Sequence, residues 1–330
     1  MLLAPPSRAL RRKLAMHSGM HAASAPWSSS MAVTVAIALL ALAYLRGRRR
    51  LHRCFPEGAA GGRPWLFLVG LLVVWTVIAS PLSTLDHRLL TFHMLQHLVL
   101  MTVAAPLLLL AIPGAALLRG LPVPARRATV WLLGSNAAFH IGRWLTDPIV
   151  CWLAGTAVVI AWHVPAAHEL SMSSPAWHLV QHVTFLLGGI LFWWPIVHPR
   201  KGSSGSFSLF APLYLFLATF PCDALSAFLS FCGRTVYPSH EVARATFGLT
   251  ALQDQECAGG LMWFWVTIAY LLPAARILLH MLSPRESDGK SLVNPLKAGP
   301  TRATSRAGAV LIIRPDESTS STPASLPGHA

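Results

Sequence analysis

Along most of the chain the apolar positions come in unbroken blocks rather than in the alternations or spaced stripes of a water-facing fold. Blocks at 28–45, 64–82, 92–112, 147–164, 177–197, 207–232 and 257–281 are nearly free of acids and bases. Such blocks approach the ~20 residues that cross a hydrocarbon core of about 30 Å at 1.5 Å per helical residue. Apolar runs without a period of two select helices over a barrel, because in lipid each backbone must satisfy its own hydrogen bonds. The pattern predicts an all-α, polytopic transmembrane helix bundle of about seven spans over residues 28–282. The stretch 128–141 is apolar but short and holds Asn136, His140 and Arg143, so it reads as an interfacial helix rather than an eighth span. Residues 1–27 read as an N-terminal tail, since Arg8, Arg11, Arg12 and Lys13 precede no apolar core long enough for a cleaved signal peptide. Residues 283–330, rich in Ser, Thr, Pro, Gly and Arg, are expected to form a disordered basic C-terminal tail.

Composition agrees: of 330 residues 54% are hydrophobic, 12% are charged and 12 are tryptophan, so the lipid bilayer is the main partner. A net charge of +14 could point to nucleic acid. The arginines, however, lie between apolar blocks instead of in a folded basic domain, and no nucleic-acid partner is expected. The first connection carries Arg46, Arg48, Arg49, Arg50, Arg53 and Arg63, the third Arg119, Arg126, Arg127 and Arg143, and the fifth Arg200 and Lys201. The even connections hold only Arg88, Arg234 and Arg244. Basic connections favour the cytoplasm, which predicts an outside N-terminus and a cytoplasmic C-terminus. Cys54, Cys151, Cys222, Cys232 and Cys257 form no CxxC, so neither a disulfide framework nor a zinc knuckle is indicated.

On this topology His87, His93, His97, His163, His168, His178, His182 and His240, eight of the 15 histidines, gather at the outer side. His93 and His97 share one face at the start of the third span, and His178 and His182 repeat that four-residue spacing at the start of the fifth. His163 ends the fourth span, and Met101 extends the His93/His97 stripe by a turn. Ionisable groups inside spans are costly enough to read as functional, and two matched imidazole pairs suit a metal. A lone histidine at a helix end is more often an interfacial side chain, but the matched pairs outweigh that reading. The predicted metal ligands are His93, His97, His163, His178, His182 and Met101. Thioether from Met101, or thiolate from Cys232 or Cys257, tilts the preference toward Cu(I). Met16, His17, Met20 and His21 form a further soft-donor patch, and His240 is also expected outside. Asp254 and Gln255 open the last span and are candidates for hydrogen-bonding a ligand histidine, with a helix N-cap as the alternative for Asp254. Trp193, Trp194, Trp263 and Trp265 read as belt and packing residues. With no nucleophile motif, phosphate loop or acid–base pair, no catalytic residue and no enzyme are expected.

Several stretches resemble the CtaG-type (Caa3_CtaG) membrane family of cytochrome c oxidase assembly factors. These are Ser80-Pro81-Leu82; His93-Met94-Leu95-Gln96-His97 followed by Ala104-Ala105-Pro106-Leu107-Leu108; Trp162-His163-Val164-Pro165; His178 with Gln181-His182; Phe192-Trp193-Trp194-Pro195; Tyr237-Pro238; and Asp254-Gln255 with Gly259-Gly260-Leu261-Met262-Trp263. His168 departs from the pattern where an aromatic residue is expected, and Cys222-Asp223 replaces an apolar pair. The resemblance implies a multi-pass protein of the bacterial plasma membrane that acts with cytochrome c oxidase subunits during oxidase maturation, with copper supply as the step served. Two other readings of the residues stand beside it. His97 and His182 are candidates for axial ligands of a b-type haem in an electron carrier, or the histidines bind nothing and the protein is a structural scaffold for oxidase assembly.

Overall fold

A computed structural model describes residues 8–54, 63–111, 114–199, 206–237 and 248–283, with side chains described except at 8–29, 82, 84 and 206–208. The patch at 16–21, His240 and the tail from 284 onward therefore lie outside the described side chains. The described elements are helical: α1 (Arg8–Cys54), α2 (Pro64–Ile78), α3 (Leu90–Leu110), α4 (Gly114–Gly120), α5 (Val123–Leu133), α6 (Asn136–Leu145), α7 (Pro148–His163), α8 (Pro165–Ser173), α9 (Pro175–Val197), α10 (Ser206–Phe231) and α11 (Ala251–Leu282). A short 3-10 turn, Pro81–Leu85, leads from α2 toward α3. The first helix reaches back to Arg8, through residues read from the sequence as a tail.

Five helical stretches are long and apolar enough to cross a membrane: Ser30–Cys54 of α1, then α3, α9, Leu209–Phe231 of α10, and α11. The shorter apolar α2 and α7 complete a set that roughly fits the seven spans expected. The stretch read as an interfacial helix is α5 and α6, which bury no residue, and α6 meets α7 at a bend of 69°.

Local chemistry sets the helix starts. Proline stands in the first turn of α2, α5, α7, α8 and α9, where its missing N–H is no loss. Ser135, Asp147 and Ser174 cap α6, α7 and α9, and Thr250 forms a capping box with Gln253 at α11. α3 has neither device, because its first turn lacks a proline and its N-cap, Leu89, supplies no side-chain oxygen. Asp254 of α11 substitutes from across the bundle, accepting from Leu90 N at 2.6 Å, Thr91 N at 3.1 Å and Thr91 Oγ1 at 2.6 Å. One carboxylate thus caps α3 and clamps it to α11.

α3 is the central helix. Met101, Ala105 and Leu109 face a core built with Phe185, Phe192, Trp193, Tyr214, Met262 and Tyr270. Leu100, Ala104 and Leu108, one position earlier, face a second core of Tyr44, Phe67, Leu71 and Val74 from α1 and α2. Midway, α3 opens into a π-helical segment, Leu100–Ala104, in which Ala105 N–H bonds the Leu100 carbonyl. The next amide in that register belongs to Pro106, which has no N–H, so the Met101 carbonyl loses its helical donor. Trp193 of α9 replaces it, donating Nε1–H to Met101 O at 3.0 Å. The approach is possible because Gly189 lies one turn away, where a Cβ would stand 2.8 Å from Met101 Cα and O. Trp193 is therefore a buried packing residue with a specific polar task. At the other side of the bundle α1 crosses α4 at Gly47 and Gly120, where added Cβ atoms would collide with the carbonyls of Ala116 and Ala43.

Candidate metal centre

The fold brings the predicted histidine faces together, as two neighbouring arrangements rather than one site. The first is a run of imidazoles in ring contact. His93 and His97 of α3 lie 4.4 Å apart between ring centroids, with Nε2 to Nε2 at 2.8 Å. His178 and His182 of α9 lie 4.3 Å apart. Across the helices, His93 meets His178 at 5.5 Å and His97 meets His182 at 5.4 Å. His168 of α8, not expected as a site residue, joins at 4.9 Å from His93. His87, on the α2–α3 connection, extends the run at 5.2 Å from His178.

Gln96 threads this run. Its Oε1 accepts from His182 Nε2 at 3.2 Å, its Nε2 donates to Val77 O at 3.3 Å, and its side chain also bonds Asp86. Asp86 lies beside His178 at 3.3 Å and His87 at 3.8 Å. Burial pushes the Asp86 carboxyl up to about 6, against the opposing charge of His87.

The second arrangement is a cavity of about 20 Å³ deeper in the bundle, lined by Met94, His97, Met101, His163, Cys222 and Met262 together with Val159, Phe185 and Tyr270. That volume admits about one water-sized body. Its lining offers three thioethers, one thiol, two imidazoles and the hydroxyls of Thr102 and Tyr270. The His163 Nδ1–H is bound to Val159 O at 2.7 Å, which fixes the tautomer and leaves Nε2 as the lone-pair nitrogen. That Nε2 and His97 Nδ1 are both buried and have no hydrogen-bond partner among the described residues. A ligand histidine is ordinarily oriented in this way, with its second nitrogen tied to a carbonyl. The donor set fits a soft monovalent ion such as Cu(I).

Of the predicted ligands, His97, His163 and Met101 line this cavity, while His93, His178 and His182 stay in the imidazole run. A single ion shared by both HxxxH pairs is not what the geometry offers. His93 and His97 converge to 2.8 Å between Nε2 atoms, but no three of the four imidazoles bring ring nitrogens within 4.8 Å of one another among the described residues. Among the described residues, the trio of His, Cys or carboxylate ligand atoms lying within 4.8 Å of one another is Asp86, His87 and His178.

The thiol is also a different one: Cys222 lines the cavity, whereas Cys232 hydrogen-bonds Arg234 O and Cys257 is exposed. Asp254 and Gln255 make their hydrogen bonds elsewhere than to a histidine. Asp254 caps α3 one turn before His93. Gln255 holds the segment after α10, donating to Leu229 O and Arg234 O and accepting from Val236 N at 2.7 Å. The adjacent Tyr237 donates its hydroxyl to His163 O at 2.8 Å and packs on His168. Both residues thus position histidine-bearing segments through the backbone. Met94, Cys222, Met262, Gln96, Asp86 and His87 were missed as site residues, although Met94, Gln96 and Met262 sit in the family-like stretches.

These features define a polytopic helical membrane protein with a sulfur-containing cavity beneath a run of imidazoles that are buried except at its His87 end. The chain belongs to the cytochrome c oxidase caa3 assembly factor (Caa3_CtaG) family, which it matches over residues 42–283. Neither curated proteins nor solved structures give a match.

Proposed function

We propose that this assembly factor works in the bacterial plasma membrane, with the histidine end of the bundle facing outward, by holding Cu(I) as cargo and passing it to a cytochrome c oxidase subunit. The observation that carries the proposal is the cavity around His163. His163, with a fixed tautomer and a buried, unpartnered Nε2, lines a space of ion size together with His97, three thioethers, one thiol and apolar side chains. Cu(I) is bound by thioether, thiolate and imidazole alike, so ligands can exchange one at a time during transfer. The family implies a non-catalytic role, and transfer by ligand exchange makes no bond on an organic substrate.

Space argues against a b-type haem between His97 and His182. Their rings stand 5.4 Å apart, His97 is stacked on Phe185 at 4.1 Å, and His182 is committed to Gln96, which leaves no slot for a macrocycle. The test is a strain carrying His163→Ala with Met262→Leu, changes that keep every span apolar. The variant should reach normal abundance, oxidase activity should fall under copper limitation, and added copper should restore part of it. Full oxidase activity at low copper in a strain lacking the gene and any paralogue would refute the assembly role. A scaffold without metal would leave the point variants fully active.

A further inference from the structure

The trio Asp86, His87 and His178 is not part of the sulfur-lined cavity. We propose that it is a second metal site, which takes a divalent first-row cation of the zinc type through two ring nitrogens and one carboxylate. The ligand atoms all lie within 4.8 Å of one another, and donors of one tetrahedral site sit roughly 3–4 Å apart when metal–ligand bonds are about 2 Å. Asp86 and His178 are already at 3.3 Å, with side chains 1% and 12% exposed, so two ligands are in place. His87 is 55% exposed on the connection before α3 and needs only a side-chain adjustment to close the set.

The site has room for the rest of a coordination sphere. It borders a cavity of about 130 Å³ lined also by Ser30, Ser83 and His182, so a fourth position is open to water. An ion pair with one protonated histidine would neutralise Asp86, but would not call for a second imidazole on the same carboxylate. A divalent ion answers to all three groups. The donors contain no sulfur, whereas the deeper cavity is rich in it, and this difference in softness separates a divalent borderline ion from Cu(I). Filling the trio would also tie the α2–α3 connection to the first turn of α9 at the end of the imidazole run.

The test uses the full chain, purified metal-free in detergent and titrated with Co(II), whose visible absorption reports coordination, with Zn(II) as competitor. The wild-type protein should bind one Co(II) that Zn(II) displaces. Asp86→Asn and the exposed His87→Ala should each weaken binding by at least about tenfold. Because His87 is exposed, loss of binding there is not a loss of fold, which a monodisperse gel-filtration profile checks. His163→Ala should leave the cobalt titration unchanged. Cobalt affinity unchanged by His87→Ala, the absence of a cobalt band in the wild type, or its loss in His163→Ala would overturn the proposal. The titration reads the trio alone, so it stands or falls separately from copper retention in the deeper cavity.

Discussion

Replacing Trp193 by Phe keeps a ring in the core but removes the indole N–H that donates to the Met101 carbonyl. In this π-helical register Pro106 would have supplied the backbone donor and cannot. A buried carbonyl left without a partner costs about 1–3 kcal/mol in a protein interior. Hydrogen bonds between membrane helices run lower, about 0.6 kcal/mol on average and up to about 1.7, because the unfolded chain in lipid also finds partners. The same substitution loses indole packing, and a double-mutant cycle with Pro106→Ala separates the two effects. The Pro106→Ala chain regains an N–H in register with Met101 O, so Trp193→Phe should cost less in that background by about 0.6–1.7 kcal/mol. Packing loss and the altered entropy of the unfolded chain recur in both arms of the cycle and cancel. The assay is unfolding by SDS in mixed micelles, followed by circular dichroism. Equal costs of Trp193→Phe in the two backgrounds, within about 0.3 kcal/mol, would refute the assignment of the π-segment to a missing proline donor.

Three further outcomes are expected. Gly47→Ala and Gly120→Ala should each destabilise by about 1–3 kcal/mol in the same SDS titration, because the new methyl strikes backbone. Gly260→Ala, where a Cβ meets nothing within 4 Å, should be neutral or stabilising, and equal losses at all three would refute the close-crossing account. Asp254→Ala should cost about 0.5–2 kcal/mol and speed hydrogen exchange at Leu90 and Thr91, with Asp254→Asn intermediate; unchanged exchange there would deny the cross-bundle cap. A single cysteine at the exposed Ala166 of α8, with the native cysteines replaced, should be labelled by an impermeant reagent in intact cells, and labelling only in inverted vesicles would reverse the orientation.

The helical membrane bundle was legible because span length and a missing period of two are one-dimensional signals. The imidazole faces were legible for a similar reason, since His93/His97 and His178/His182 repeat at helical spacing and α3 and α9 pack directly. How those faces meet was not. Rings staggered along two axes form a run, and nothing in a spacing of four says whether two pairs will converge on one point. Met94, Met262 and Cys222 look in sequence like any apolar span residue, and only the relative rotation of α3, α10 and α11 turns them toward His163. Asp254 misled for the opposite reason. At a helix start an acid is expected to cap its own helix or to serve a nearby ligand, yet Thr250 caps α11 and releases Asp254 to cap α3. Asp86 and His87 lay just outside the third block, in a connection whose return toward α9 the sequence does not encode locally.

Copper cargo in the cavity beside His163, as proposed above, is open to direct test. The direct measurement is copper stoichiometry together with X-ray absorption at the copper edge, on the full chain purified from copper-supplied cells under reducing conditions. About one Cu(I) per chain is expected, in a mixed sulfur and nitrogen shell. His163→Ala should lower the nitrogen contribution and the retained copper, and Met262→Leu the sulfur contribution. A protein that retains no copper, or copper with a shell of light scatterers alone that neither substitution alters, would contradict the proposal.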